Sequence, residues 1–188
     1  MTRFLGKLTL VVSLFACAAC SVPLNRPAHA PPSYTISPET ARIYFTMPQG
    51  FPMTGEGNVV EGKKVVGFIK NKEYFSIDVP AGPHTFYLMG GRNEEALSGT
   101  FLAGKAYHIR IFVVPGPFGY REYWTALENA GEDLAARQQE LAETMQMELD
   151  PTQAEDWEEE HEEDIEEFKE DLAKGDDQPV TFNERHAL

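Results

Sequence analysis

Three strand patterns follow one another between residues 63 and 88, and two turn signals separate them. In the middle pattern, from Glu73 to Val79, apolar residues alternate with mostly polar ones, which is typical of a strand with one buried face. The Asn71-Lys72 pair before it predicts a tight turn and a hairpin. The segment from Pro80 to Pro83 ends this strand, because proline cannot donate to a sheet ladder. Residues 63–88 therefore predict the centre of an all-β domain.

Further strand patterns lie on both sides of this segment. They cover residues 41–47, 58–60, 96–102, 106–114 and 122–127. Short strands at such regular spacing favour two packed sheets. The predicted fold is mainly β, a single antiparallel β-sandwich of seven or eight strands over residues 40–129, followed by two C-terminal α-helices. In its first strand, Ile43 and Phe45 are predicted to face the core.

The amino terminus has the three regions of a secretory signal. Arg3 and Lys7 precede the apolar run Leu8 to Phe15, and small residues follow it. This run is too short to span a bilayer as a helix. The segment closes with Cys17-Ala18-Ala19-Cys20, which resembles the lipobox of bacterial lipoproteins, where small residues precede an acylated cysteine. We therefore expect residues 1–19 to be a lipoprotein signal peptide and Cys20 to carry the lipid.

Two alternatives to this assignment stay open. The lipobox position three residues before the cysteine prefers leucine and here is Cys17, whereas Leu14 would fit that position if Cys17 were the acylated residue. The second alternative is an ordinary cleaved signal without a lipid. Because the sequence has two cysteines and both lie here, the body of the chain has no thiol for disulfides, metal binding or nucleophilic catalysis.

The resemblance to lipoproteins also implies a cellular location. Ser21 stands where an aspartate retains members of that family at the inner membrane, so the resemblance implies a lipid-anchored protein of the outer membrane that faces the periplasm. Residues 20–39 contain several prolines and no apolar period, which predicts an extended tether. We expect this tether to hold the domain off the lipid surface.

Three motifs together resemble the bacterial DUF2846 domain, a family of unknown function that is often found on lipoproteins. They are ARIYF from Ala41, the segment from Glu61 to Phe86, and AGKAYHIRI from Ala103. The resemblance covers about residues 41–129. It implies a β-sandwich and supplies no known active-site residues. The central segment is also similar in style to PEGA-type surface repeats, although one copy is present.

After residue 129 the apolar period changes from that of a strand to that of a helix. The pattern predicts an amphipathic helix over residues 130–149, which Asp150-Pro151 ends. A second helix is predicted over residues 150–175, with Thr152 as its cap, and residues 176–188 are expected to be disordered. Twelve of the seventeen residues from Glu155 to Asp171 are acidic.

Two interpretations of the acidic helix stay open. It is either a solvated helix that keeps the protein soluble, or a docking helix whose Trp157, Ile165 and Phe168 enter a groove on a basic envelope protein. The formal net charge of −14 at neutral pH argues against nucleic acid as a partner.

The sequence contains no set of residues that identifies a reaction. His84 lies in a turn, and His108 is predicted to face solvent on its strand. Glu158 and His161 have the spacing of metal ligands on one helical face, but a defined site of this kind needs a second pair. We therefore expect a non-enzymatic envelope interaction module without catalytic, cofactor or metal residues. The alternatives are a periplasmic lipoprotein that binds a small ligand or a cation and, less favoured, a hydrolase.

Overall fold

The computed structural model describes residues 25–28, 35–48, 56–89, 95–116, 119–126, 134–174 and 180–182. Within these residues, eleven strands form two sheets, and three helices lie between residues 134 and 174. The predicted fold class, a mainly β sandwich followed by C-terminal helices, is confirmed.

The strands, in chain order, are β1 (Asn25–Pro27), β2 (Thr40–Met47), β3 (Glu56–Glu61), β4 (Lys64–Lys70), β5 (Glu73–Pro80), β6 (Gly82–Met89), β7 (Glu95–Phe101), β8 (Ala106–Gly116), β9 (Gly119–Ala126), β10 (Met145–Leu149) and β11 (Val180–Phe182). The helices are α1 (Leu134–Glu143), α2 (Pro151–Glu160) and α3 (Glu162–Lys174). The first sheet has the order β1-β10-β5-β2-β8-β9, and the second sheet has the order β11-β7-β6-β3-β4. Eight strands, β2 to β9, lie within residues 40–129, as predicted for the sandwich.

The main core lies between the two sheets. Ile43 and Phe45 are fully buried there, as the alternation in β2 predicts. Phe45 stacks on Phe75 of the neighbouring strand with 4.8 Å between ring centroids, and it meets Phe86 of the opposite sheet edge-on at 5.5 Å. Burial of each large apolar side chain contributes about 1.5–3 kcal/mol, so this layer holds the two sheets together.

The turn at Asn71 and Lys72 forms as predicted, with Lys72 at φ 67°, but it does not close a hairpin. β4 belongs to the second sheet and β5 to the first, so the chain crosses from one sheet to the other there. Gly67 of β4 faces Phe75 of β5, and a Cβ at position 67 would overlap the Phe75 ring. The predicted hairpin is wrong because alternation identifies the buried face of a strand and not its neighbour. A hairpin does form between β3 and β4, where Gly62 adopts φ 64° in the turn.

Three strands come from segments that the sequence predicts to be free of strands. β1 lies within the predicted tether 20–39, β10 within the predicted helix 130–149, and β11 within the predicted disordered tail 176–188. β10 pairs in parallel with β5, and β1 pairs antiparallel with β10, so both extend the first sheet. β11 pairs in parallel with β7 at one edge of the second sheet. For these short stretches the three predictions are wrong.

Helix α1 ends before its predicted boundary. The Thr144 hydroxyl donates to the backbone carbonyls of Glu140 and Leu141, both at 3.1 Å, which satisfies two of the acceptors that a helix leaves unpaired at its end. The Met145 N–H then donates to the Lys72 carbonyl at 2.8 Å. The chain continues as a strand because the edge of β5 offers it backbone partners.

The predicted acidic helix over residues 150–175 is divided into α2 and α3 by a break at His161. The N-cap is Asp150 rather than Thr152, since the Asp150 carboxylate accepts from two backbone N–H groups of the first turn at 3.1 and 3.4 Å. Pro151 follows at the first helical position, where the missing N–H would have no helical partner. Helical hydrogen bonding continues through the break, because the His161 N–H donates to the Trp157 carbonyl at 3.1 Å.

Candidate interaction surface on the acidic helices

Helices α2 and α3 pack on the outer face of the second sheet, away from the main core. A second apolar cluster, here called the helix seat, joins them to this sheet. Its buried members are Val60, Val65 and Met89 of the sheet and Ala154 and Ile165 of the helices. Tyr87 of β6 also meets Phe168 of α3 edge-on, with 5.7 Å between ring centroids. The acidic helices are therefore fixed to the sandwich by apolar burial.

The structure places the three candidate docking residues within the chain itself. Ile165 and Phe168 are 1% and 4% exposed against the second sheet. Trp157 is half-buried and stacks on the His161 ring at 4.1 Å. For Ile165 and Phe168, the interpretation in which the side chains enter a partner's groove is incompatible with this packing, whereas Trp157 keeps part of its surface exposed. A narrow apolar stripe predicts that a helix needs an apolar surface, and the chain's own sheet supplies that surface.

Two lysines of the β3–β4 hairpin bind the helices at the rim of the helix seat. Lys63 Nζ lies 2.8 Å from Glu162 and 3.5 Å from Glu166, and Lys64 Nζ lies 3.0 Å from Glu158. The hydrogen bond to Glu162 raises the pKa of Lys63, and the hydrogen bond to Glu158 raises the pKa of Lys64. Sequence reasoning missed this contact, although two adjacent lysines beside a turn glycine in a strongly acidic chain were a usable signal.

Carboxylates also cover the exposed edge of β4, the last strand of the second sheet. The Val65 N–H donates to Glu158 Oε1 at 2.8 Å, and the Lys70 N–H donates to Glu73 Oε2 at 3.0 Å. Burial raises the pKa of Glu73, and the hydrogen bond from Lys70 opposes that effect. Side-chain acceptors at an edge strand block the unpaired N–H groups that would otherwise bind a foreign strand.

The outward side of α2 and α3 carries a set of carboxylates, here called the acidic face. All of its members are exposed, and none forms an ion pair within the part of the chain that the structure describes. They are Glu155, Asp156, Glu159, Glu160, Glu163, Asp164, Glu167 and Glu170. On the same helices, a hydrogen bond from Lys169 lowers the pKa of Glu166. The acidic face is therefore a fixed surface with an excess of negative charge.

An open cleft of about 350 Å³ lies between the β3–β4 hairpin and the acidic helices. Its lining consists of two ammonium groups, four carboxylates and one apolar side chain, namely Lys63, Lys64, Glu155, Glu158, Glu159, Glu162 and Ile165. Because both lysines are bound to glutamates, the charge left over in the cleft is negative. The cleft thus continues the acidic face inward.

His84, predicted to lie in a turn, joins three strands at the end of the sandwich. Its Nδ1 contacts the Glu61 carboxylate of β3, and its Nε2–H donates to the Pro80 carbonyl of β5 at 2.8 Å. The ring also stacks against Phe86, at 6.1 Å between centroids. Both ring nitrogens therefore have structural partners.

The prediction that His108 faces solvent is wrong. Its side chain is 4% exposed, and its ring lies 4.7 Å from that of Tyr44. Helix α1 covers this outer face of the first sheet, where Glu140 accepts from the Thr46 hydroxyl at 3.1 Å and pairs with Arg110. Strand alternation could not foresee the cover, because it comes from residues about thirty positions later in the chain.

Glu158 and His161 do not converge, although their spacing would allow it. Glu158 is bound to Lys64 and to the Val65 N–H, whereas the His161 Nδ1–H donates to the Trp157 carbonyl at 2.9 Å. Among the residues that the structure describes, no group of three or more histidine, cysteine or acidic side chains is arranged to hold a metal ion.

The predicted lipidation residue Cys20 and the alternative Cys17 lie outside the described residues. None of the described helices has the length and apolar character needed to cross a bilayer. Compared with models of known protein families, with curated proteins and with solved structures, the chain shows no significant match. The resemblance to the DUF2846 domain therefore stays an expectation from the three sequence motifs.

Proposed function

We propose that this protein is a non-enzymatic interaction module, anchored by lipid on Cys20 at the periplasmic side of the outer membrane, and that its acidic face docks a basic envelope protein. The observation that carries the proposal is the fixed acidic face. None of its eight exposed carboxylates forms a close ion pair in the described chain, and the helices that bear them are already packed on the sandwich. Membership in the DUF2846 family is part of the same proposal.

A docking role is favoured because α2 and α3 are already packed on the second sheet before any partner binds. A helix that folds only on binding loses conformational entropy at that moment, and this loss weakens the complex. Here the apolar contacts of Ile165 and Phe168 have already ordered α3. Binding is then left to charge complementarity, which accelerates association and excludes partners of the wrong sign.

Repulsion within the helices adds a second reason. The sequence from Glu155 to Asp171 contains nine like-charge pairs at i,i+4, and each opposes the helix by roughly 0.2–0.5 kcal/mol. The sum is about 2–4.5 kcal/mol at low salt, which the helix seat offsets. A basic partner on the acidic face would reduce this repulsion, so binding and helix stability support each other.

The test is recovery of crosslinked partners from membranes with two variants that change the net charge equally. Glu163→Lys with Glu167→Lys reverses charge on the acidic face, whereas Glu39→Lys with Glu143→Lys does so at exposed positions elsewhere. We expect the native chain and the control variant to recover one stoichiometric basic protein, and the acidic-face variant to lose it. Equal recovery by both variants, or no basic protein with the native chain, would contradict the docking role.

A further inference from the structure

The first described strand, β1, is built into the sandwich close to the proposed lipid anchor. Asn25 pairs with Leu149, Arg26 with Glu148 and Pro27 with Met147, in antiparallel register with β10. The Ala28 N–H donates to the Gln146 carbonyl at 3.0 Å, which continues the ladder by one residue. Residues 25–28, which lie within the predicted tether, therefore belong to the folded domain.

The remaining length of chain limits the distance to the membrane. Four residues lie between Cys20 and Asn25, so five Cα–Cα steps join them, and a fully extended chain of five steps spans at most about 17 Å. The opposite edge of the first sheet, β9, lies five strand spacings from β1, or about 24 Å. A lipid on Cys20 therefore keeps the β1 edge within about 17 Å of the bilayer, whereas the chain length sets no such close limit for the β9 edge.

The chemistry of the held edge fits a lipid surface. Met145 on β10 is 55% exposed, and it is one of two exposed large apolar residues in the described chain. The charged side chains of this edge, Arg26 and Glu148, lie 3.8 Å apart and neutralise each other. The acidic face, in contrast, begins beyond the first turn of α2.

We propose that the edge formed by β1 and β10, together with the first turn of α2, faces the lipid bilayer and orients the domain on it. This inference rests on the lipid anchor of the proposed function. In this arrangement the domain does not rotate freely on its tether, and its acidic face lies next to the membrane-facing edge. A partner of the acidic face would then bind next to the bilayer.

The test measures how close two positions come to the lipid headgroups. In the mature acylated chain an introduced cysteine is the free thiol, since Cys17 is removed with the leader and Cys20 is blocked. A fluorophore is placed at Thr152→Cys, in the first turn of α2, or at Ala103→Cys, an exposed turn position beside β8. The probe is a vesicle of phosphatidylethanolamine and phosphatidylglycerol with nitroxide-labelled headgroups, which quench a nearby fluorophore.

We expect several-fold stronger quenching at Thr152 than at Ala103, because β8 lies four strand spacings from β1, or about 19 Å. Inserting ten glycine and serine residues between Pro23 and Leu24 should reduce this contrast, because the longer chain lets the domain rotate freely. Equal quenching at both positions without the insertion would overturn the orientation.

Mass spectrometry of the same samples separates the two proposals. A chain without acyl groups on Cys20 overturns the anchor and, with it, the orientation. An acylated, vesicle-bound chain with equal quenching overturns the orientation alone and leaves the proposed anchor intact.

Discussion

Both sheets of the sandwich carry helices on their outer faces, and both sets of helices combine apolar burial with ion pairs, but the ion pairs differ in their exposure to solvent. On the first sheet, Leu141 of α1 is buried against Tyr44, Tyr74 and Ala106, and beside it Glu140 meets Arg110 and the Thr46 hydroxyl in a partly buried polar contact. On the second sheet, α2 and α3 are held by an apolar cluster, and their lysine–glutamate pairs lie at the exposed rim. The comparison shows that apolar burial holds helices on both sheets, and that an ion pair should add more to it where it is shielded from solvent than at an exposed rim.

The largest effect should come from the apolar contact. Ile165→Ala removes a side chain that is 1% exposed in the helix seat, and we expect a loss of about 2–5 kcal/mol in unfolding free energy. Hydrogen exchange should show α2 and α3 opening before the strands. Leu172→Ala, at a half-buried position of the same helix, is the matched control with a smaller expected loss. If the two losses were the same, the helix seat would not be what holds these helices.

An intermediate effect is expected at the polar contact on the first sheet. Glu140→Gln leaves Arg110 without its carboxylate, and the unpaired polar groups should lower the unfolding free energy by about 1–3 kcal/mol. Salt should change this loss little, because the pair is largely shielded. Glu143→Gln, exposed on the same helix, should stay within about 0.5 kcal/mol of the native chain. If the loss of unfolding free energy in Glu140→Gln disappeared in high salt, the Glu140–Arg110 pair would behave like an exposed ion pair and the expectation would be wrong.

The smallest effect should come from the lysine pairs at the rim. The pKa of Lys63 is raised by its hydrogen bond to Glu162, so its contribution to stability is complete below the unfolded-state pKa and is lost as pH rises through the folded-state pKa. Lys63→Gln should therefore destabilise slightly at neutral pH and not at all at strongly alkaline pH. Denaturant melts at both pH values measure this difference, with Lys105→Gln as the exposed control. If the destabilisation caused by Lys63→Gln grew at alkaline pH, the expected direction of the pH dependence would be wrong.

The strands of the sandwich could be predicted because their signals are local. Ile43 and Phe45 in β2, and Phe75 and Val79 in β5, alternate with more polar residues and are buried as expected. The neighbours of each strand could not be predicted, because the crossing between β4 and β5 depends on the fit of Gly67 against Phe75 in another sheet. Local patterns fix the buried face, and pairing depends on contacts distant in sequence.

The candidate surface divides in the same way. The concentration of acid was visible in the sequence, and its exposed members are where a helical pattern places them. The packing of Ile165 and Phe168 on the second sheet could not be predicted from the sequence, since their apolar stripe fits an external groove as well as the chain's own sheet. Pairing of Lys63 with Glu162 spans 99 positions, a separation for which a single sequence carries no periodic signal.

The placement of β10 between β1 and β5 has a consequence for the order in which the chain folds during synthesis. β1 has no neighbour in its sheet until β10 arrives, more than a hundred residues later in the chain. A chain that folds as it emerges from its amino terminus would therefore leave Asn25, Arg26 and Pro27 unpaired until β10 has emerged. In the lipid-anchored protein proposed above, processing enzymes would act on the anchor segment during that interval, and closure of the ladder would end it.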